Sequence, residues 1–181
     1  MSRGSARPRR GKGISRRTAA RLAAVQALYE MELSGRSADS VLREFAAKRW
    51  DGVGSDPDDE PVVKVPPREK TDTGFFCELV RGVDQQARRL DEVIGQALSD
   101  DWPLDRLEAV LRAILRAGAF ELSAGPEVPP RVVISEYVNL THAFFEGSEP
   151  ALANAVLDRL GHLFRPEDMR EINGESGQPP R

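Results

Sequence analysis

The sequence predicts an all-α fold, two packed helical bundles of six to seven helices with flexible N- and C-terminal tails. Three observations carry that expectation. Apolar residues recur at i, i+3, i+4 and i+7 in one segment after another. Gly and Pro punctuate the chain where each stripe stops. Only the short Val62-Val63-Lys64-Val65 suggests an extended piece. The 181 residues are enough to bury a real core as one domain or two packed halves.

The first helix is expected from Ser15, a good N-cap, to about Leu33, closed by Ser34-Gly35. Leu22, Val25, Leu28 or Tyr29, and Leu33 form its apolar stripe, with Arg17 and Arg21 four residues apart on one face. Ser37 opens a second, amphipathic helix through Ala38, Val41, Leu42, Phe45 and Ala46. Residues 51–70 lose all periodicity. They hold Pro57, Pro61, Pro66 and Pro67 with the acidic cluster Asp56, Asp58, Asp59 and Glu60, and read as a functional loop or a disordered insertion.

A long helix follows from about Thr73 to Ala97, with Phe76, Leu79, Val83, Ala87, Leu90, Ile94 and Ala97 in register. Phe75, Phe76 and Cys77 read as core. Trp102-Pro103 separates a first bundle (about 14–98) from a second (about 102–166). The next helix, about Leu104 to Leu122, carries Leu107, Val110, Leu111, Ile114, Leu115 and Leu122, with Arg106, Arg112 and Arg116 on its flanks. Gly118 within it weakens the helix by about 1 kcal/mol relative to Ala, which predicts close packing against a neighbour. Gly125-Pro126 ends that helix and Pro129-Pro130 starts another, with Val133, Tyr137, Leu140 and Phe144 inward. Ser148 and Pro150 open the last, with Leu152, Ala155, Val156, Leu160 and Leu163 inward and Pro166 as its stop. Residues 14–166 thus form the helical domain, between a basic arm (1–13) and a polar tail (167–181), both expected to be disordered.

Charge is distributed unevenly. Residues 1–21 carry eight basic side chains (Arg3, Arg7, Arg9, Arg10, Lys12, Arg16, Arg17 and Arg21) and no Asp or Glu. The other 160 residues carry 18 basic and 29 acidic side chains, a net −11. A basic arm on an acidic body suits a polyanion, because guanidinium groups pair with phosphates and release condensed counterions. Arg16, Arg17 and Arg21 continue that run into the helical pattern, which places part of it on an ordered surface.

Catalytic and metal chemistry find no support. There is no Gly-rich phosphate loop and no dinucleotide fingerprint after a strand. His142 and His162 have no second ligand at zinc spacing, and the single Cys77 excludes a disulfide framework and a cysteine-based zinc site. The acidic cluster lacks the alternating oxygen ligands of a calcium loop, and Asp100-Asp101 precede a helix start where carboxylates complement the dipole. No catalytic residue, metal or cofactor is expected. With no membrane-length apolar run and no signal-like N-terminus, a cytoplasmic protein is the default.

The run Arg17-Thr18-Ala19-Ala20-Arg21-Leu22-Ala23-Ala24-Val25-Gln26-Ala27-Leu28-Tyr29 resembles the opening signature of the NusB transcription antitermination family. Further matches follow in order: Phe76-x-x-Leu79-x-x-Gly82-Val83, Ile114-Leu115-Arg116 with Phe120-Glu121-Leu122, Val128-Pro129-Pro130-Arg131-Val132-Val133-Ile134-Ser135-Glu136, and Asn154-Ala155-Val156-Leu157-Asp158. The resemblance implies a non-enzymatic protein that binds the single-stranded boxA element of nascent ribosomal RNA. The small-subunit ribosomal protein NusE would be its partner, alongside the transcription elongation complex. It carries an RNA role over to Arg17 and Arg21, and to Tyr29 and Asn154, while Arg9, Arg10, Lys12 and Arg16 extend the basic run. Partner contact falls regionally on the helices of Arg112, Arg116 and Glu136. Leu152 stands where the family has an aromatic.

The residues leave alternatives open. Tyr29 reads equally as a core ring with a bonded hydroxyl. Asn154 suits an internal hydrogen bond as well as a ligand contact, and Glu136 an exposed helix position. A helical protein–protein adaptor that binds no RNA also fits. NusB-like domains occur at the front of certain ribosomal RNA cytosine methyltransferases too, but no methyl-donor domain is expected in this chain.

Overall fold

A computed structural model describes residues 14–50, 63–99, 101–125 and 127–170. Seven α-helices form among them: α1 (Arg16–Ser34), α2 (Ala38–Phe45), α3 (Thr73–Ala97), α4 (Ala109–Ala124), α5 (Pro130–Phe144), α6 (Glu149–Phe164) and α7 (Pro166–Arg170). A single π turn, Ala46–Trp50, extends α2, and 3₁₀ turns occupy Arg68–Lys70 and Leu104–Arg106.

The helix ends follow local chemistry. Ser15 caps α1 by accepting the Thr18 N–H at 3.0 Å, and Asp72 caps α3 by accepting the Phe75 N–H at 3.1 Å. Gly35 closes α1 at φ 65°, a left-handed conformation that costs glycine least, and its N–H reaches the Met31 carbonyl at 2.9 Å.

One contiguous apolar core runs through both halves of the chain. Helix α4 lies at its centre, packing on α1, α3, α5 and α6. From Ala117 to Leu122 every residue of α4 is buried, as a helix enclosed on all sides requires. Two glycines set how closely the helices approach. A Cβ on Gly82 of α3 would stand 2.0 Å from Phe120 Cζ. One on Gly118 would stand 2.8 Å from a Leu157 methyl and 3.3 Å from the Tyr137 ring. Gly118 therefore has the close neighbour its position predicts; Gly82 has a closer one.

Four expectations are corrected. The helix expected from Leu104 begins at Ala109, because Leu107 and Glu108 are extended. The Arg112 guanidinium folds back onto the carbonyls of Leu104, Asp105 and Leu107, offering donors to backbone oxygens that are not continued into α4. In α6 the buried side is Ala153, Val156, Leu157 and Leu160, while Ala155 and Leu163 face outward. Small Ala153 and Gly161 let this side close on its neighbours. Leu33 on α1 is exposed, since the core narrows before the last turn. Beyond Pro166, α7 forms and buries Met169 against Gly161 and Ile134, with Arg131 bonding the Met169 carbonyl. Among the described residues no helix is long and apolar enough to cross a membrane.

The glycine contacts differ in what has to move. Gly82→Ala drives a methyl into a buried ring and is expected to destabilise the fold by about 3 kcal/mol, whereas Gly118→Ala meets the movable end of a leucine and is expected to cost about 1 kcal/mol. Urea unfolding midpoints of the two variants, at an unchanged denaturant slope, check this ranking.

Candidate nucleic-acid interface

Arg21 is the principal correction. It sits at i−4 and i−7 from Val25 and Leu28, so its helix face is the inward one. Only 4% of its side chain is exposed. Its Nε donates to Glu121 Oε2 at 2.9 Å and its Nη2 to Glu121 Oε1 at 2.5 Å, a bidentate pair with a carboxylate 3% exposed. Its Nη1 donates to Glu136 Oε2 at 3.1 Å. The Tyr137 hydroxyl donates to Glu121 at 3.0 Å, and the Thr18 hydroxyl to Glu136 at 2.7 Å. Burial alone would lower the Arg21 pKa, but the Glu121 hydrogen bond and the surrounding negative charge leave it raised. Every arm of this guanidinium is engaged internally, so Arg21 offers no surface to a ligand. The same network claims Glu136, which is neither free nor simply an exposed helix position.

The carboxylate that sequence reading missed is Glu121. Its signal lay in its spacing: three after Gly118 and seven after Ile114, it falls on an apolar side where an acid demands a buried cation. The two acids of the network belong to α4 and α5, and the cation to α1.

Arg16 and Arg17 occupy the start of α1 under different conditions. Arg16 is exposed, and its Nη2 donates to the Thr71 carbonyl at 3.3 Å. Arg17 is half-buried with its guanidinium carbon 4.1 Å from the centroid of the Phe75 ring, while Arg21 lies 5.4 Å from the same ring. Neither Arg16 nor Arg17 has a carboxylate partner among the described residues. Arg9, Arg10 and Lys12 lie outside the described residues, as does the acidic cluster Asp56 to Glu60.

Arg112 and Arg116 converge on one acid. Arg112 Nε donates to Glu32 Oε1 at 2.8 Å and Arg116 Nη1 to Glu32 Oε2 at 2.7 Å. Arg116 also forms a bidentate pair with Asp91 at 2.7 and 3.0 Å. Partial burial pushes the Glu32 carboxyl up, but the two arginines hold it below its usual range. This clamp fastens α4 to α1 and α3, so these arginines are structural ties first. Tyr29 is 39% exposed rather than core. It lies twelve residues beyond Arg17, about 18 Å along the helix axis.

Asn154 is exposed on α6 and makes no side-chain hydrogen bond among the described residues, against the internal bond that one reading expected. Helix α6 packs chiefly on α5, α4, α3 and α7. Leu152 beside it is half-buried against the core. His142 and His162 are exposed, and among the described residues no cluster of metal-ligating side chains forms.

A family model described as the NusB family matches residues 18–162. The chain is 46% identical over 171 residues to the transcription antitermination protein NusB of Rhodospirillum rubrum, covering 91% of this chain and 92% of that one. It is 47% identical over 156 residues to the protein of the same name from Sinorhizobium fredii, covering 86% and 92%. Its fold resembles T. maritima NusB (TM-score 0.65, 21% identity, 86% of this chain and 98% of that one). It also resembles a chain from a structure of the antitermination factors NusB and NusE with dsRNA (TM-score 0.63, 22% identity, 81% and 96%).

The buried network supports two expectations. Arg21→Ala leaves Glu121 buried without its cation and is expected to lower stability by about 3–5 kcal/mol in urea unfolding. The second concerns Tyr137, whose pKa is raised well above 10.0 by burial first and then by the charge of Glu121. A raised folded-state pKa gives stability that is present below the unfolded value and lost as pH rises past it. Unfolding stability should therefore fall above about pH 10, and Tyr137→Phe should remove that part of the alkaline decline.

Proposed function

The chain belongs to the NusB family, and we propose that it acts in transcription antitermination by binding the boxA element of nascent ribosomal RNA together with NusE. The family is one of antitermination factors, not enzymes. The observation that carries the RNA reading is the contrast among the three helical arginines. Arg21 is enclosed by carboxylates, whereas Arg16 and Arg17 stand at the ordered start of α1 with no acidic partner among the described residues. They continue the acid-free run that contains Arg9, Arg10 and Lys12. The rest of the chain is net acidic, so this acid-free start is where a polyanion is favoured, and the strand is oriented by the field before any base is read.

Tyr29 and Asn154, both exposed, are retained as RNA contacts in this proposal. Tyr29 supplies a ring that a base can stack on, and Asn154 an amide with unused donors and acceptors. For NusE, the support is regional. Leu33 exposes apolar surface at the end of α1, beside the rigid Glu32–Arg112–Arg116 clamp of mixed charge. A related fold is recorded in a complex of NusB, NusE and dsRNA. Engagement of the elongation complex follows from the antitermination role, and a cytoplasmic location from the partners.

Titration of a boxA single-stranded RNA at several salt concentrations tests the proposal. Log affinity should fall with log salt, and Arg16→Ala/Arg17→Ala should flatten that slope by about 1.4, or 0.7 per released phosphate contact. An unchanged slope in the double variant would remove α1 from the interface. Capture of NusE that resists nuclease, with no RNA affinity in either protein, would favour the adaptor reading instead.

A further inference from the structure

The segment between α2 and α3 ends in a fixed, cationic turn beside the start of α1. Its 3₁₀ turn, Arg68–Lys70, is held by Thr71, which is wholly buried and donates its hydroxyl to the Pro67 carbonyl at 3.0 Å. Two bonds then join the turn to α1: the Asp72 N–H donates to the Arg16 carbonyl at 3.0 Å, and Arg16 Nη2 donates to the Thr71 carbonyl at 3.3 Å. On its other side, Arg68 lies 6.0 Å from the centroid of the Trp50 ring, and Gln26 of α1 donates to the Val63 carbonyl.

This junction brings Arg16, Arg17, Arg68 and Lys70 to one corner of the molecule. Lys70 is exposed and makes no ion pair among the described residues. Two carboxylates belong to the same stretch. Asp72 is occupied as the cap of α3, and Glu69 is exposed on the turn itself. Arg16, Arg17 and Lys70 pair with no carboxylate among the described residues, and such a local excess of positive charge on an otherwise acidic body attracts a polyanion. Because the charges come from two elements bonded to each other and not from one cradle, they suit successive phosphates of a strand more than one compact anion.

We propose that the turn Arg68–Lys70 is a second arm of the RNA-binding surface, in which Lys70 contacts a phosphate next to those held by Arg16 and Arg17. This rests on the RNA reading above and adds to it a sequence-independent contact from outside α1. Lys70 would set affinity and register along the strand, not base preference.

The test uses the full chain with two fluorescent 16-nucleotide single-stranded RNAs, one boxA and one scrambled, at two or more salt concentrations. Lys70→Glu should weaken binding of both about fivefold, as loss of an exposed ion pair allows, and lower the salt slope by about 0.7. Glu69→Lys should tighten both. Arg89→Glu is the control: it makes the same charge change on α3 but lies sixteen residues beyond Thr73, about 24 Å along the axis, and should stay within about twofold, as a charge beyond the screening length does. If Lys70→Glu behaves like Arg89→Glu while Arg16→Ala/Arg17→Ala loses affinity, the turn is excluded and the α1 reading stands. If none of these variants changes RNA affinity, the RNA reading fails with it. Loss of an acidic protein partner by Lys70→Glu, with RNA affinity intact, would overturn the proposal in favour of a protein contact.

Discussion

A single guanidinium enclosed by carboxylates from two other helices fixes the position of everything else in this molecule. Removing Arg21 and Glu121 from water, with Glu136 partly shielded beside them, carries a large desolvation penalty. It is offset because each Arg21 nitrogen has an acceptor, and Glu121 gains a further donor from the Tyr137 hydroxyl. Apolar contact alone would allow α1 to slide or rotate on α4 by small amounts. A bidentate pair permits one register, and with it the first turn of α1 and the residues it presents are placed. The clamp of Arg112, Arg116, Glu32 and Asp91 repeats this logic where the later turns of α1 meet α3 and α4.

The helix is thereby divided along its own length into charges that hold and charges that are offered. Four residues separate Arg17 from Arg21, and Phe75 lies against both. The inner arginine is tied to acids; the outer one lies on the ring and has no acid partner among the described residues. The surface cations are consequently carried by a rigid support, so little conformational entropy is lost there when a strand docks. The 3₁₀ turn hydrogen-bonded to Arg16 enlarges that support.

Most of the fold was legible because caps and periodicity are local. Ser15, Gly35, Thr73 and Ala97 fall where the sequence puts them, since each boundary is decided by residues a turn away. What was hidden depended on distant partners. Arg112 ends the helical run before Ala109 by bonding carbonyls five to eight residues back, which no stripe reveals. The inward side of α6 is set by the space that Gly118 leaves for Leu157. Met169 makes a helix of what composition alone reads as tail. For the site, a basic residue on an apolar face was the available clue to Arg21. Reading it required seeing Glu121 a hundred positions away as its counterpart.

The two tryptophans report on different joints. Trp50 packs edge-on to Phe45 and Phe76 at 5.6 and 5.2 Å with Arg68 beside it, whereas Trp102, between the halves, is 37% exposed. Their indoles sit in unlike surroundings and should differ in emission wavelength and in access to a dissolved quencher. The protein therefore carries an intrinsic optical probe at the aromatic joint beneath the cationic turn, distinguishable without any label from a second probe at the junction between its halves.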